Sequence, residues 1–140
     1  MASEPGPRHQ AREAALQVLY ALDSDAGADV EKALAAYWAN LDGPPAGRAY
    51  GDEIVRGVTA KRDALDAALR AASPNWRLER MARVDRNLLR IGAWEILHGA
   101  EVPRQVAIDE AVELARAFGA ENAYAFVNGI LDKLGAPKKG

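Results

Sequence analysis

The sequence predicts an all-α fold, a compact bundle of about seven helices. Apolar residues recur at three- and four-residue spacing through most of the chain, and no stretch shows the polar–apolar alternation of a strand. Alanine, which has the highest helix propensity, makes up much of the 49% hydrophobic content. Because 140 residues without an internal repeat suit one ordinary domain, we expect residues 1–140 to fold as a single domain.

The most regular helical pattern lies in the stretch 102–134, which predicts two helices joined at a glycine. The first of them has a wide apolar face that includes Ile108 and Phe118. Gly119 follows where helices often end in a left-handed residue, a conformation that glycine adopts without a Cβ clash. We therefore expect a left-handed Gly119 and a second helix that restarts near Glu121.

The N-terminal half of the chain predicts three helices. The first covers about residues 8–22, and Asp29 is expected to cap the second. A third and longer helix covers about residues 48–72. Within it, Gly57 indicates either close packing or a bend.

The next long helix is expected to form the centre of the bundle. Asp85 is its expected N-cap, and apolar residues cover nearly the whole circumference from there to about Leu97. Glu95 lies inside this apolar run, and a buried carboxylate needs a partner, for which Arg90 is a candidate. We interpret Glu95 as half of an ion pair in the core rather than as a catalytic residue.

The sequence carries no recognisable catalytic or metal-binding motif. It has no cysteine, and its two histidines, His9 and His98, lack the spacing that places two imidazoles on one zinc ion. We therefore expect no enzyme activity, no metal and no cofactor. The net charge of −2 argues against a protein coated in positive charge, so any nucleic-acid site must be a local patch.

Four ordered motifs carry a family resemblance over most of the chain, apart from residues 23–47. They read AREAALQVLY, DRNLLRIGAWEIL, VAIDEAVELARAFG and AYAFVNGILDKL. Together they closely resemble the NusB family of transcription antitermination factors. The resemblance implies two packed helical subdomains, a smaller N-terminal bundle and a larger C-terminal one. It also implies binding to the single-stranded boxA element of nascent ribosomal RNA operon transcripts, together with the small-subunit ribosomal protein NusE, in an RNA polymerase antitermination complex.

The resemblance implies an RNA surface built from the starts of the first and last helices. The matching residues here are Arg8, Arg12, Asn122, Tyr124 and Phe126. Arg8 and Arg12 share one helical face and are expected to contact phosphates, although a solvated basic end is the alternative. Bases are expected to be recognised near Asn122 and Tyr124. Phe126 also lies on the apolar stripe of its helix, so packing and base stacking both remain open for it.

The resemblance associates Tyr20 and Asp85 with formation of the complex with NusE, although Asp85 could equally act only as a helix cap. Five further arginines could contact RNA or NusE, and we interpret them instead as partners of acidic residues on neighbouring helices. They are Arg77, Arg80, Arg83, Arg86 and Arg90.

Three functional alternatives follow from these observations. RNA-binding antitermination factor is the preferred interpretation, and a helical protein-binding scaffold without RNA contact is the second. A methyltransferase, in which the same fold forms an N-terminal domain, is disfavoured because no cofactor-binding domain or catalytic cysteine is present. Family members occur as monomers and as dimers, so a homodimer stays open. No apolar run is long enough to span a bilayer, and we expect a cytoplasmic protein without membrane contact.

Overall fold

The computed structural model describes residues 6–25, 27–40, 47–75, 77–99 and 101–134. These ranges contain seven α-helices and no strand, which confirms the predicted all-α fold. The helices are α1 (Pro7–Ser24), α2 (Val30–Ala39), α3 (Arg48–Ala60), α4 (Arg62–Ala72), α5 (Arg83–His98), α6 (Arg104–Phe118) and α7 (Ala123–Lys133). A short 3-10 helix, Leu78–Arg80, precedes α5. None of these described helices is both long and apolar enough to cross a membrane.

Helix α5 is the centre of the bundle, as its apolar circumference predicts. It packs against α1, α3, α4, α6 and α7. Its side chains from Asn87 to Glu95 are all buried. One continuous apolar core includes side chains from all seven helices. The N-terminal helices α1–α3 and the C-terminal helices α4–α7 therefore share a single core.

The predicted single helix over residues 48–72 is wrong, because the chain breaks at Lys61. The backbone of Lys61 leaves helical geometry (φ −109°, ψ 16°), and α4 begins at the next residue. Gly57 does not bend the chain. A Cβ atom on Gly57 would lie 2.3 Å from Nε1 of Trp94, so glycine is required for the close approach of α3 and α5. The close-packing alternative for Gly57 is the correct one.

The predicted cap of α2 is confirmed, whereas the predicted cap of α5 is wrong. The Asp29 carboxylate accepts a hydrogen bond from the backbone N–H of Lys32 at 3.0 Å. By contrast, α5 begins at Arg83, with Ala82 in the cap position. Asp85 therefore lies inside the first turn of α5, where its side chain serves the neighbouring α6–α7 connection, as described below.

Gly119 ends α6, but it does so in an extended conformation (φ −80°, ψ 174°), so the predicted left-handed glycine is wrong. Glycine is required there because a larger side chain would not fit. A Cβ atom on Gly119 would lie 2.7 Å from the carbonyl oxygen of Ala115 and 2.7 Å from Oδ1 of Asp85. The close approach of this connection to α5 therefore selects glycine, and the backbone φ angle does not.

The left-handed residue of the α6–α7 connection is Asn122, whose φ is 65°. Asparagine tolerates this conformation better than most residues do. It precedes α7, which begins at Ala123, two residues after the predicted restart near Glu121. Phe118, predicted on the apolar face of α6, is instead 44% exposed at the end of that helix. The aromatic side chain of Phe118 therefore lies on the surface beside the α6–α7 connection.

Candidate nucleic-acid and partner interface

Arg12, predicted to contact phosphates, is directed into the protein. Its side chain is only 3% exposed, and Nε donates to both oxygens of Glu95 at 3.0 and 2.9 Å. Burial alone would lower the pKa of Arg12, but the hydrogen bond with Glu95 raises it above its ordinary value. Because this charge is already compensated inside the protein, the geometry disfavours a phosphate contact by Arg12.

Glu95 belongs to the core ion pair that its burial predicts, but its predicted partner is wrong. Besides Arg12, the Tyr50 hydroxyl donates a hydrogen bond to Glu95. Burial and this hydrogen bond raise the pKa of Tyr50 above its ordinary value. Arg90, the partner expected from the sequence, donates instead to both oxygens of Asp66 on α4, at 2.8 and 3.0 Å. The Arg12–Glu95 and Arg90–Asp66 pairs are therefore separate buried ion pairs, and Arg90 also lies 3.7 Å from Oδ2 of Asp23.

Arg8 differs from Arg12 because its side chain is 48% exposed. Its Nη2 atom lies 3.3 Å from Oε1 of Glu101, and its guanidinium carbon lies 4.8 Å from the centroid of the Tyr50 ring. Exposed ion pairs of this kind exchange readily with water or another anion. Arg8 is therefore the member of the predicted arginine pair that stays available at the surface.

Between these arginines, His9 connects α1 to α6. Its Nδ1 lies 3.0 Å from Oε1 of Glu110, and its Nε2 lies 3.1 Å from Oε2 of Glu13. The hydrogen bond with Glu110 and the charges of both carboxylates raise the pKa of His9, against the opposing effect of burial. No group of three or more histidine and acidic side chains in the described ranges could hold a metal ion.

The five arginines from Arg77 to Arg90 divide into two groups, and the predicted pairing with acidic residues holds for only part of them. Arg86 donates to Asp23 at 3.0 Å, and Arg90 to Asp66 as described above. Burial alone would raise the pKa of Asp23, but the hydrogen bond from Arg86 and nearby arginine charges bring it below its ordinary value. Arg83 donates to the hydroxyl of Ser24 at 2.9 Å.

Arg77 and Arg80 form the second group. Both are exposed, and their side chains make no hydrogen bond or ion pair with another residue in the part of the chain that the structure describes. The nearby Glu79 is paired with Arg70 at 2.7 Å. Arg77 and Arg80 therefore form no direct ion pair among the described residues, although the charge of Arg77 helps to lower the pKa of Glu79, after the larger effects of a backbone hydrogen bond and of Arg70.

Asn122 and Phe126 meet at a groove between α7 and the α4–α5 connection. One cavity of about 500 Å³ contains both residues, together with Asn75. An adjoining cavity of about 440 Å³ shares Asn75 and Phe126 with the first. The second cavity is lined by Asn75, Arg77, Arg80, Met81, Asp85 and Phe126. We call the two cavities together the Phe126 groove. Phe126 is half-buried, so it both packs at the edge of the core and lines this groove.

Tyr124 does not line the Phe126 groove. Two residues correspond to about 200° of rotation around a helix, so Tyr124 lies on another side of α7 from Phe126. Its ring is covered by Arg116, whose guanidinium carbon lies 4.2 Å from the ring centroid. The structure therefore brings together Asn122 and Phe126 from the predicted RNA residues and places Tyr124 beside α6.

Tyr20, predicted to bind a partner, is 42% exposed beside Phe118. These two side chains line a shallow cavity of about 260 Å³ at the ends of α1 and α6. The other lining residues are Leu16, Gln17 and Val84. We call this surface the Tyr20 patch. The sequence did not identify Phe118 as part of it, because helical periodicity alone does not show where a neighbouring helix stops covering a face.

Asp85, the second predicted partner residue, is only 2% exposed and is not at an open helix start. Its Oδ1 accepts a hydrogen bond from the backbone N–H of Ala120 at 3.3 Å. Burial raises the pKa of Asp85, and the Ala120 hydrogen bond opposes that effect. Asp85 therefore supports the α6–α7 connection, which separates the Tyr20 patch from the Phe126 groove.

The predicted RNA residues occupy two separate regions, at opposite ends of α5. Helix α1 runs antiparallel to α5, because Arg12 contacts Glu95 near the end of α5 whereas Asp23 contacts Arg86 near its start. Arg8 therefore lies at the C-terminal end of α5. The Tyr20 patch and the Phe126 groove lie at its N-terminal end, and α5 itself, with 16 residues, is about 24 Å long.

Comparisons with known proteins agree on one family. The sequence profile of the NusB family matches residues 9–136. A transcription antitermination protein NusB from Sorangium cellulosum is 54% identical over 129 residues, which is 92% of this chain and 91% of that protein. One from Geobacter sulfurreducens is 42% identical and covers 96% of this chain and 99% of its own length.

Solved structures of the same fold include T. maritima NusB, with a TM-score of 0.81 and 31% identity over 96% of this chain and 92% of that one. A second is a structure of antitermination factors NusB and NusE in complex with double-stranded RNA. It gives a TM-score of 0.79 at 23% identity, over 92% of this chain and 96% of that one, so it shows the shared fold.

Proposed function

Because this chain belongs to the NusB family, we propose that it is a transcription antitermination factor that binds single-stranded boxA RNA of nascent ribosomal RNA operon transcripts together with NusE. One structural observation carries the proposal. The N-terminal end of α5 presents two open surfaces side by side, the apolar Tyr20 patch and the Phe126 groove. A protein partner and an RNA strand can therefore bind next to each other.

The Tyr20 patch supports the NusE part of the proposal. Two large aromatic side chains, Tyr20 and Phe118, are 42% and 44% exposed next to each other. Aromatic residues are enriched in protein–protein interfaces, where burial of their apolar surface contributes much of the binding free energy. The solved structure of a NusB in complex with NusE and double-stranded RNA supports NusE as a partner, and we assign it to this patch because the patch is apolar and exposed.

The groove supports the RNA part of the proposal. Single-stranded RNA is recognised by proteins through bases that stack on aromatic rings and form hydrogen bonds along their edges. Phe126 supplies such a ring, and the exposed amide of Asn122 can both donate and accept hydrogen bonds. At the other end of α5, Arg8 is available for a phosphate. We also expect Tyr124, whose ring is covered on one face by Arg116, to contact an RNA base.

A helical protein-binding scaffold without RNA contact is the second candidate. It is favoured by the internal engagement of Arg12 and by the net charge of −2, which leave little positive charge at the start of α1. In this alternative the Tyr20 patch would bind NusE in the cytoplasm, and the RNA polymerase antitermination complex would contact RNA only through other proteins.

An RNA-binding measurement with and without NusE separates the two candidates. Fluorescence anisotropy is recorded for labelled boxA RNA and for a scrambled strand of the same composition. We expect tighter binding and a larger preference for boxA when NusE is present, and Asn122→Ala should narrow that preference. If NusE binds this protein but RNA affinity of the pair equals that of NusE alone, the scaffold is correct. If neither NusE nor RNA binds, both candidates are wrong.

A further inference from the structure

His9 lies where the start of α1 faces α6, and both of its ring nitrogens contact carboxylates. Nδ1 is 3.0 Å from Oε1 of Glu110 on α6, and Nε2 is 3.1 Å from Oε2 of Glu13, one turn further along α1. All three side chains are partly buried, with exposed fractions of 26% for His9 and Glu110 and 36% for Glu13. We call these two contacts the His9 joint.

The His9 joint requires a protonated imidazole. A neutral imidazole has one N–H donor and one acceptor nitrogen, whereas an imidazolium ion has two donors. An ionised carboxylate only accepts hydrogen bonds, so a neutral ring would direct the lone pair of one nitrogen at a carboxylate and repel it. In agreement with this geometry, the hydrogen bond with Glu110 and the charges of both glutamates raise the pKa of His9, and burial opposes them.

Two cations of α1 hold Glu110, whereas one cation holds Glu13. Nη1 of Arg12 lies 3.4 Å from the same Oε1 atom of Glu110 that His9 contacts, and Nε of Arg12 is paired with Glu95 on α5. In the part of the chain that the structure describes, the ion pair of Glu13 with His9 is its only one. Arginine is not deprotonated in proteins. The position of Glu13 therefore depends on the charge of His9 alone, and that of Glu110 only in part.

Two tyrosines on neighbouring helices complete the surroundings of the His9 joint. On α3, burial and a hydrogen bond to Glu95 raise the pKa of Tyr50. On α2, burial and the charge of Glu13 raise the pKa of Tyr37. Both hydroxyl groups therefore keep their protons well above neutral pH. The imidazole of His9 is the group of this region that changes charge near neutral pH.

We propose that the His9 joint is a proton-dependent connection that fastens the start of α1 to α6. In the imidazolium form, His9 donates to both carboxylates and the joint is closed. Loss of the proton leaves one N–H, which stays on Nδ1 because Arg12 keeps Glu110 in place, and Nε2 then repels Glu13 into the solvent. One neutral hydrogen bond to α6 remains, about half as strong as the charge-assisted bond that it replaces.

Opening of the joint changes local order rather than the core. Helix α1 packs mainly on α2, α3 and α5, and α6 packs mainly on α5 and α7, so the start of α1 meets α6 through polar side chains. Buried alanines such as Ala11 and Ala15 keep α1 on the core in both states. The proton therefore controls how firmly the first turns of α1 are held, in a device that does not involve the proposed RNA and NusE contacts.

Nitrogen NMR of the histidine rings tests the closed state. The full chain is labelled with 15N-histidine, and the signals of His9 are assigned by their loss in His9→Gln. At about pH 6.5, the ordinary pKa of histidine, we expect the nitrogen shifts of a mostly protonated ring. At higher pH we expect the tautomer protonated at Nδ1. A ring that is mostly neutral at about pH 6.5, or a neutral tautomer protonated at Nε2, would overturn the inference.

Hydrogen exchange tests whether the proton holds α1. Protection of the backbone N–H groups of residues 10–16, corrected for intrinsic exchange rates, is measured from about pH 6 to 9. The matched variants are His9→Arg, which is charged throughout, and His9→Gln, which is never charged. In the wild type we expect protection to fall as pH rises, by up to about tenfold for each unit by which folding raises the pKa of His9. Both variants should give constant protection.

Thermal melting checks that the variants fold. If His9→Gln does not, Glu13→Gln takes its place, because it removes one carboxylate of the joint, keeps the histidine and should reduce the pH dependence. Identical pH profiles for the wild type and His9→Arg would show that another group controls the start of α1. Constant protection in the wild type while the His9 ring loses its proton would equally refute the connection. Neither result touches the proposed function, since no RNA or NusE is present.

Discussion

Nε of Arg12 in α1 donates hydrogen bonds to both carboxylate oxygens of Glu95 in α5, across 83 residues of sequence. The pair accounts for the burial of both charged side chains. Glu95 is a carboxylate inside an apolar helix, and Arg12 is a basic residue on a helix expected to face RNA. Their pairing fixes the start of α1 against the end of α5. The arginine therefore stabilises the fold, and the exposed Arg8 is left as the cation of this region.

Replacing Arg12 should cost stability rather than RNA affinity. Removing one partner of a buried ion pair leaves the other charge uncompensated, which typically costs about 3–5 kcal/mol. We expect Arg12→Ala to lower the free energy of unfolding in urea by about that amount. Arg8→Ala, which removes an exposed pair with Glu101, should cost less than about 1 kcal/mol. A folded, fully stable Arg12→Ala protein with weaker RNA binding would restore the phosphate contact predicted from the sequence.

Tyr20 and Asp85 should respond differently to substitution, although the resemblance associates both with NusE. Tyr20→Ala should weaken NusE binding by about 2 kcal/mol, as for a typical interface hot spot, and leave thermal stability nearly unchanged. Asp85→Lys should destabilise the protein by about 3 kcal/mol or more, because it buries an unpaired ammonium group and removes the acceptor for the Ala120 N–H. Calorimetric titration and thermal melting distinguish these effects. A stable Asp85→Lys protein that loses NusE binding would place Asp85 in the interface.

Two helical glycines provide a matched pair for testing the α3–α5 contact. Gly57→Ala should destabilise the protein by about 1–3 kcal/mol, because its Cβ would lie 2.3 Å from Trp94 Nε1. Gly129→Ala in α7 meets nothing within 4 Å and should stabilise the protein by about 0.5–1 kcal/mol. Both values are measured by denaturant unfolding. Equal effects at the two positions would show that α3 and α5 are not in close contact.

His9 should make stability depend on pH. Its pKa is raised in the folded protein by Glu110 and Glu13, from an ordinary value of 6.5. The stabilisation is therefore fully present below about pH 6.5 and is lost as pH rises through the folded-state pKa. We expect the difference in unfolding free energy between wild type and His9→Gln to shrink between about pH 5 and 8. A difference that is constant over this range would show that His9 does not form charged contacts with the two carboxylates.

The sequence predicts the helices well because amphipathic periodicity is a local property. The central position of α5 and the cap at Asp29 follow from residues close together in the chain. The break at Lys61 does not, because neither proline nor glycine marks it and packing decides where the chain turns. The partner of Glu95 cannot be predicted from the sequence either, since Arg90 is near it in sequence but Arg12 is near it in space. Local patterns cannot choose between these two arginines.

The candidate site is predicted less completely than the fold. Of the residues that the family resemblance implies, Asn122 and Phe126 line one cavity and Tyr20 is exposed, and their roles in binding stay predictions. Whether an arginine is free depends on every helix packed around it. The sequence therefore does not separate Arg77 and Arg80, which form no direct ion pair among the described residues, from the paired Arg86 and Arg90.

The placement of Arg8 and the Phe126 groove at opposite ends of α5 makes the proposed RNA surface bivalent. Each region alone offers only a few contacts. When one strand reaches both, the second contact forms at a high effective concentration, so the two weak affinities combine. Because the buried α5 is a rigid spacer of about 24 Å, a strand too short to cover that distance gains nothing from the second region. RNA affinity should therefore rise sharply at a threshold length rather than in proportion to the number of nucleotides.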